Sequence, residues 1–222
     1  MNFGWTDVNG TQIPYILRTG DVKFVAVKIA EKVLDKFVTM LPVSVVICNR
    51  IQTYIVTRNE AELLNDMLTK HCEGSFVQHT SFNEKDYMVQ LDDFIEFHRF
   101  LETCHRKIVE KKHDFESDRC GFFRINGESV VPYTVKNGVK LVPLSYFEGE
   151  TDQLKQKAQK VDSWELAYLK FCCNVQGVEV KNALFNESGD CDVVSLDDIK
   201  GYFPANNKFE EYFPSNPTDH QS

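Results

Sequence analysis

The stretch GWTDVNG, residues 4–10, returns in the same pattern as GFFRING at residues 121–127. Both stretches read glycine, aromatic residue, two variable positions, β-branched residue and Asn-Gly. Asn-Gly is a strong signal for a tight β-hairpin, because a type I′ turn needs positive φ at both of its central residues. The two stretches therefore predict one β-hairpin at the start of each half of the chain.

The likeness between the two halves extends well beyond the first turn. An aliphatic-Pro-Tyr step follows each Asn-Gly, and a glycine lies six residues after each proline. Further along, residues 56–68 (VTRNEAELLNDML) parallel residues 161–173, and VQLDDF (89–94) parallels VSLDDI (194–199). The alignment needs two one-residue shifts, one before the proline and one after the second glycine. Landmarks that recur in the same order indicate a tandem duplication.

Helix signals follow the hairpin in both copies. Thr57 stands three residues before Glu60, and Asp162 three before Glu165, which is the spacing of a capping box at a helix start. After the first Leu-Asp-Asp step, apolar residues alternate at spacings of three and four and predict one buried helix face: Phe94, Phe97, Leu101, Cys104 and Ile108. Each copy therefore reads as a hairpin, a helix (residues 28–37 in copy one), a middle helix, a short strand and a last helix.

This order of elements predicts an α+β fold made of two tandem homologous mixed α/β modules. The modules should span residues 1–112 and 121–204. A charge-dense stretch at 113–120 reads as a linker, and the polar residues 205–222 read as a C-terminal tail.

The charge of the chain favours protein partners over nucleic acid. The net charge is −8, and the acidic excess lies in the second half. Residues 1–112 carry 14 Lys/Arg against 15 Asp/Glu, whereas residues 113–222 carry 11 against 18. Nucleic-acid binders usually show a basic footprint, because phosphate contacts supply much of their affinity. A local patch in the first half is the most that this composition offers.

Membrane and secretory features are not expected. Apolar runs such as residues 43–48 are too short to cross a bilayer. The first ten residues lack the basic and apolar regions of a secretory leader. The seven cysteines are therefore expected to be reduced thiols, in the nucleus or alternatively in the cytoplasm.

The motif order of copy one resembles the Ski/Sno/Dachshund homology domain. The resemblance lies in VNGTQIPYILRTGDVKFVAVKIAEKVL (8–34) and in the closing strand-helix step YMVQLDDFIEFHRFL (87–101). It covers most of residues 4–108 and, more loosely, 121–203. The resemblance implies a mixed α/β module with winged-helix-like features, and it implies a nuclear regulatory scaffold.

No catalytic, cofactor-binding or metal-ligating residue is assigned. The sequence has no nucleophile elbow, phosphate-binding glycine loop or zinc-protease motif, so an enzyme with a small-molecule substrate is not expected. The pairs Asp92-Asp93 and Asp197-Asp198 are interpreted as acidic residues at helix N-termini. His71-Cys72 and Cys104-His105 have the composition of a zinc site, but consecutive helical residues point in different directions. Buried structural thiols are therefore the favoured interpretation.

Two groups of residues are candidates for binding. Three aromatic residues lie in the polar tail at helical spacing and predict one helical turn: Phe209, Tyr212 and Phe213. They should be covered either by folding back onto their own module, which is favoured, or by a groove on another chain. Basic residues around the last helix of copy one are candidates for nucleic-acid contact: Arg99, Arg106, Lys107, Lys111 and Lys112.

The leading functional hypothesis is a non-enzymatic protein-interaction scaffold in nuclear transcriptional or chromatin regulation. Its partners would be other proteins, with self-association as an open alternative, and no membrane or cofactor is involved. The alternative hypothesis is a nucleic-acid-binding module that uses the basic helix near residues 99–112.

Overall fold

The computed structural model describes residues 2–47, 49–147, 149, 152–161, 163–177 and 190–215. It divides into two compact units. Unit 1 is built from Met1–Leu41 and Arg50–Glu102, and unit 2 from Pro42–Asn49 and Thr103–Ser222. Antiparallel sheets and separate helices make up both units, which confirms the α+β fold class.

Unit 1 contains a five-stranded antiparallel sheet in the order β1-β2-β3-β5-β4. Its strands are β1 (Asn2–Val8), β2 (Thr11–Leu17), β3 (Lys23–Ala26), β4 (Thr53–Ile55) and β5 (Tyr87–Gln90). Its helices are α1 (Val27–Val38), α3 (Arg58–His71) and the part of α4 (Leu91–Ile108) up to Glu102.

Unit 2 contains a six-stranded antiparallel sheet in the order β11-β6-β7-β8-β10-β9. Its strands are β6 (Cys120–Ile125), β7 (Ser129–Lys136), β8 (Val139–Pro143), β9 (Gln159–Lys160), β10 (Asp192–Ser195) and β11 (Phe209–Tyr212). Its helices are α2 (Val43–Val46), a 3₁₀ turn (Leu144–Tyr146), α5 (Asp152–Lys155), α6 (Ser163–Gln176), α7 (Leu196–Tyr202) and the end of α4.

The two sheets repeat one topology. Without β11, both sheets have the order first, second, third, fifth, fourth strand of their unit. The two Asn-Gly pairs also occupy equivalent turns, with φ of 53° and 83° at Asn9 and Gly10 and of 53° and 73° at Asn126 and Gly127. The shared strand order and the shared turns are what a tandem duplication predicts.

Both one-residue shifts of the repeat fall in turns. Val8 pairs with Thr11 across the first turn of copy one, whereas Ile125 pairs with Ser129 in copy two, so copy two holds one extra residue there. The next turn is shorter in copy two, where Lys136 pairs directly with Val139 across Asn137-Gly138. Because the extra residues lie in turns, the strand register inside the two hairpins stays the same.

Helix α3 begins with the predicted capping box. The Glu60 amide donates to Thr57 Oγ1 at 3.4 Å, and the Thr57 amide donates to the Glu60 carboxylate at 2.8 Å. Glu60 also accepts two hydrogen bonds from Arg18, at 2.7 and 2.9 Å, which tie the β2–β3 turn to the helix. The matching residue Asp162 lies outside the described residues.

The buried face of α4 is wider than the predicted one. Phe94, Leu101 and Cys104 are fully buried, as predicted. Phe97 and Ile108 are half-buried instead, and Phe100 is fully buried with its ring 6.5 Å from that of Phe97. Since the helix turns by about 100° per residue, Phe97 and Ile108 still point to the predicted face, and Phe100 extends that face beyond Cys104.

The units differ from the predicted module boundaries. Residues 113–120, expected to form a linker, include the fully buried Asp118 and belong to unit 2. Residues 209–212 of the expected tail form β11. Residues 42–49, expected in the first module, belong to unit 2, where the Ser44 carbonyl accepts a hydrogen bond from Asn174 at 3.4 Å. The charged and polar composition of residues 113–120 and of the tail suggested that both are solvated. A charge can be buried when it is paired, as Asp118 is, and a polar segment can be buried when its backbone joins a sheet, as β11 does.

A tyrosine lies against a glycine in each hairpin. Gly4 is directly opposite Tyr15, and Gly121 is directly opposite Tyr133. At both glycines an added Cβ would overlap the tyrosine ring on the neighbouring strand. The absence of a side chain at this position is therefore needed for the tyrosine to lie across the strand.

We expect Gly121→Ala to lower the free energy of unfolding by about 1–3 kcal/mol, because the ring of Tyr133 is fully buried and has no room to move. Gly4→Ala is the matched control. Tyr15 is only half-buried, so its ring can swing away at smaller cost. Urea unfolding of both variants measures the two changes, and a larger loss for Gly4→Ala would contradict this account of the packing.

Candidate functional site

Phe209 and Tyr212 lie in a strand and Phe213 directly follows it, so the helical turn that their spacing predicts is not formed. β11 pairs antiparallel with β6, so that Phe209 is opposite Ile125 and Tyr212 is opposite Phe122. A lone helical turn is unstable because its nucleation is costly, whereas the edge of β6 offers a row of backbone partners. The described part of the tail thus folds back onto its own unit, the arrangement favoured from the sequence.

Phe213 follows β11 and covers an aromatic cluster. Its ring centroid lies 5.6 Å from that of Phe122, 6.4 Å from Phe171 and 4.7 Å from His113. The Lys107 ammonium is 4.8 Å from the centre of the same ring. Phe213 is buried as a result, and Phe122 beneath it is fully buried.

The other two aromatic residues of the tail are also used inside unit 2. Phe209 packs against the hydrophobic core, with its ring 6.3 Å from that of Phe203. Tyr212 lies on the opposite face of the sheet, where the Arg124 guanidinium is 3.9 Å from the centre of its ring. A role of these three residues in binding a partner therefore stays a prediction, beside an internal role that the structure shows.

The basic residues proposed for nucleic-acid contact are mostly paired with carboxylates. Lys107 Nζ lies 2.5 Å from Asp118 Oδ2, and both side chains are fully buried. Arg106 Nη2 lies 2.7 Å from Asp118 Oδ1. Lys107 is therefore out of reach of a phosphate, which corrects its assignment as a nucleic-acid contact. The signal missed in the sequence is a counter-ion eleven residues away, in a segment that looked like a solvated linker.

The remaining basic candidates lie at the surface. Arg99 pairs with Glu96 at 2.6 Å, and Lys112 pairs with Glu110 at 3.0 Å. Lys111 is exposed and lines a cavity of about 350 Å³ beside Phe213. Lys107 lines the same cavity as Lys111. Its ammonium is buried against Asp118, however, so it adds no exposed cation beside Lys111.

His113 lies in the same cavity wall, with its ring 4.7 Å from that of Phe213. Burial lowers the pKa of His113, and the positive charges of Lys107 and Arg106 lower it further, while Asp118 acts in the opposite direction. The His113 imidazole therefore stays neutral to a lower pH than an exposed imidazole would. It lies next to Phe213, which covers the edge of β6.

β1 is the longest edge strand among the residues that the structure describes. The four edge strands of the two sheets are β1, β4, β9 and β11. β1 has seven residues, against three, two and four in the others. Two large side chains of β1 lie at the surface, with Phe3 41% and Trp5 37% exposed. A long edge with exposed aromatic residues is a template for an added strand.

The repeat shows what the edge of β1 lacks. Trp5 and Phe122 occupy the same position of the repeat, directly after the glycine that faces the tyrosine. Phe122 is fully buried beneath Phe213, because β11 adds to the edge of β6. In the described part of unit 1 no strand lies outside β1, and Trp5 remains partly exposed.

A lysine completes the glycine-tyrosine pair in both units. Lys23 Nζ lies 4.8 Å from the centre of the Tyr15 ring, and Lys140 Nζ lies 5.1 Å from the centre of the Tyr133 ring. Both lysines are on the third strand of their sheet, two residues before a valine that pairs with the fifth strand. In unit 2 the Lys140 ammonium also forms an ion pair with Glu211 of β11.

The other chemical candidates have structural roles. The Ser195 hydroxyl accepts from the Asp198 amide at 3.1 Å at the start of α7, and the Asp198 carboxylate pairs with Lys157 at 2.8 Å. Cys104 is fully buried, whereas His105 on the same helix is 3.3 Å from Glu110. Throughout the described ranges, no group of three or more His, Cys, Asp or Glu residues is placed to hold a metal ion.

A larger groove of about 620 Å³ lies beside α1 in unit 1. Its two lysines already have partners. Lys28 pairs with Asp86 at 2.7 Å, and Lys32 donates to Thr80 Oγ1 at 2.6 Å. The groove therefore presents no unsatisfied cation from these two residues, and β1 is the better candidate site.

Comparison with protein-family models, with curated proteins and with solved structures gives no match to this chain. Within the described residues, no helix combines the length and the apolar character needed to cross a bilayer.

Four residues that mark the candidate edge were not predicted from the sequence: Phe3, Trp5, Tyr15 and Lys23. A signal was present, because Trp5 and Tyr15 belong to the repeated motif itself. The aromatic segment after the last helix of copy two has no counterpart after the last helix of copy one. That difference indicates a strand present in one sheet and missing in the other.

We expect Asp118→Asn to lower the free energy of unfolding by about 3–5 kcal/mol, because it leaves the Lys107 ammonium buried without a counter-charge. Replacing both residues, Lys107→Met with Asp118→Leu, should recover much of the loss, since a buried ion pair is often exchangeable for apolar contacts. Lys112→Ala, at an exposed ion pair, is the control and should unfold like the wild type. Thermal and urea unfolding measure all three, and wild-type stability for Asp118→Asn would contradict the burial of the pair.

Acidification should destabilise the chain through His113. Because the folded pKa is lowered, the unfolded chain binds a proton on this ring first, and stability is lost as the pH falls below about 6.5. We expect His113→Gln to lose less stability than the wild type between about pH 7.5 and about pH 5.5. Urea unfolding at both pH values measures the difference. Equal losses in the two proteins would show that His113 does not contribute.

Proposed function

We propose that this chain is a non-enzymatic protein-interaction module, and that the edge of β1 in unit 1 binds an extended segment of a partner protein. The observation that carries the proposal is the contrast between two equivalent sheet edges. In unit 2 an added strand and Phe213 cover the edge, while in unit 1 Phe3 and Trp5 lie exposed on β1, whose outer edge has no neighbouring strand in the described sheet.

Strand addition supplies affinity through main-chain hydrogen bonds and specificity through alternate side chains. Natural edge strands are commonly protected by proline, lysine, a bulge or a short length. Residues 2–8 contain neither proline nor lysine, and the strand runs in continuous register with β2 over its seven residues. The edge of β1 therefore keeps the features that favour pairing with another chain.

The hydrogen-bonding pattern of β6 indicates which backbone amides of β1 would pair with an added strand. Asn126 donates its amide to Lys208 in the segment leading into β11, so alternate amides of β6 face the added strand, those of Arg124 and Phe122 included. The repeat equivalents of these two residues are Asp7 and Trp5. Their amides should therefore face the open edge of β1.

A role in nuclear transcriptional or chromatin regulation is proposed on the resemblance of residues 8–34 and 87–101 to the Ski/Sno/Dachshund homology domain. The nucleic-acid alternative has less support, because the buried pair with Asp118 removes Lys107 from the surface and engages Arg106. The net charge of −8 also favours a protein partner, because an acidic chain is repelled by a phosphate backbone.

The test uses Trp5 as the reporter of its own edge. The chain has two tryptophans, so Trp164→Phe leaves Trp5 as the single fluorophore of that kind. The probe is a synthetic peptide of residues 207–215, which contains β11, with the substitution E210K because this position would face Asp7. We expect a saturable shift of the Trp5 emission to shorter wavelengths, because strand addition removes the indole from water.

Two substitutions at one position provide the matched control. Asp7→Pro removes the amide that faces the edge and should weaken peptide binding at least about tenfold, while leaving the strand folded, since proline is tolerated on edges. Asp7→Ala removes the same carboxylate but keeps the amide, and it should bind the peptide. Absence of any emission shift, or equal binding by both variants, would overturn the proposed edge interaction. A complex with DNA that weakens steeply with added salt would favour the alternative instead.

A further inference from the structure

We propose that the edge of β1 selects an extended segment with one acidic residue opposite Thr6, and that Lys23 is the residue that binds its carboxylate. This inference rests on the proposed edge interaction and names the chemistry of the partner. It comes from a stack of side chains that is complete in unit 2 and lacks its last member in unit 1.

The stack in unit 2 has four members. Tyr133 lies against Gly121, the Lys140 ammonium lies over the Tyr133 ring, and Glu211 of the added strand forms an ion pair with Lys140. Lys140 also donates to the Phe115 carbonyl at 3.0 Å. The carboxylate of an added strand is thus the group that completes this arrangement.

The stack in unit 1 has the first three members in the same places. Tyr15 lies against Gly4, and the Lys23 ammonium lies over the Tyr15 ring. Lys23 is exposed, and the described residues place no carboxylate within ion-pair distance of its ammonium. A long cationic side chain held over an aromatic ring is pre-oriented, so less side-chain entropy is lost when a carboxylate binds.

The register of unit 2 sets the position of each partner residue. Glu211 is opposite Phe123, whose equivalent in unit 1 is Thr6, so the acidic residue of the partner should face Thr6. The residue before it should face Asp7, which replaces Arg124 of unit 2. A basic residue is therefore favoured there, where unit 2 has Glu210 beside Arg124.

The aromatic positions follow from the same register. Tyr212 is opposite Phe122, and Phe213 covers the Phe122 ring, so the partner should carry aromatic residues opposite and just beyond Trp5. The segment that fits best therefore reads basic, acidic, aromatic, aromatic from its N-terminal to its C-terminal end. The charge alternation distinguishes it from the tail of this chain, which has two glutamates at the first two of these positions.

The experiment reverses the charge at position 23 of the Trp164→Phe chain and at position 211 of the peptide, separately and together. The starting pair is the Trp164→Phe chain of residues 1–222 and the peptide of residues 207–215 carrying E210K, and binding is measured by the Trp5 emission. Lys23→Glu should weaken the peptide at least about tenfold. A second peptide, carrying E210K and E211K, should bind the Lys23 chain poorly and should regain binding to Lys23→Glu. Lys23→Gln keeps the length of the side chain without its charge and should give an intermediate affinity. Thermal unfolding of each variant shows whether the fold is intact.

The control for overall charge is Lys85→Glu, which makes the same change of net charge at an exposed residue before β5. It should bind the first peptide like the parent chain. Equal weakening by Lys85→Glu and Lys23→Glu would overturn the role of Lys23, as would unchanged binding by a folded Lys23→Glu. In both cases the proposed edge interaction stands if Asp7→Pro still blocks the peptide.

Two further outcomes separate this inference from the proposed function. If neither peptide moves the Trp5 emission, both proposals fail together. If the emission instead shifts as the protein concentration rises without peptide, and Asp7→Pro prevents the shift, the occupant is a second copy of β1. That result would overturn a separate partner with this charge pattern and keep the edge as an interface.

Discussion

The packing of a tyrosine ring across a glycine on the neighbouring strand is the constraint on which both halves of this protein depend. Gly4 faces Tyr15 and Gly121 faces Tyr133, and an added Cβ at either glycine would overlap the ring. A slip of one residue would move every side chain of the strand to the other face of the sheet. The contact therefore fixes which residues of each hairpin face the core, and the helices and later strands pack against that choice.

The same constraint explains where the two copies were free to diverge. Within the first three strands, the two copies differ in length by one residue at two points, and both points lie in turns. The rest of the core pattern follows in parallel, including the valines at the third and fifth strands that pair as Val25 with Val89 and Val142 with Val194. The copies diverge in their helices, since copy two has a three-residue 3₁₀ turn where copy one has the twelve-residue α1. They also diverge at the outer edge of each sheet, where Trp5 meets solvent and Phe122 does not. The proposed function depends on this second difference.

Much of the fold could be predicted from the sequence, because the repeat carries strong local signals. The Asn-Gly turns, the capping box at Thr57 and the Leu-Asp-Asp helix starts depend on a few neighbouring residues. The helical turn predicted for the tail was wrong. Phe209, Tyr212 and Phe213 lie within five positions, where a helical and an extended spacing are hard to distinguish. Strand pairing with β6 decides between them, and that pairing is a tertiary interaction that local spacing does not contain.

The candidate site was less predictable than the fold for a related reason. Lys107 and Asp118 look like two solvated charges in the sequence, and only their geometry shows a buried pair. Lys23 and Trp5 look like ordinary residues of a hairpin, and their interest comes from comparison with Lys140 and Phe122 in the other unit. An unfilled edge is recognisable in this protein because the chain carries its own filled example.

Unit 2 is built from two separate segments of the chain, and this limits how the second copy could be moved as a gene fragment. Unit 2 takes residues 42–49 from within copy one and residues 103–112 from its end. A gene fragment that encoded only the second copy would therefore lack α2 and the Lys107 side chain that neutralises Asp118. The second copy is therefore not a self-contained cassette: transferred alone to another protein, it would carry Asp118 without the Lys107 ammonium that neutralises it.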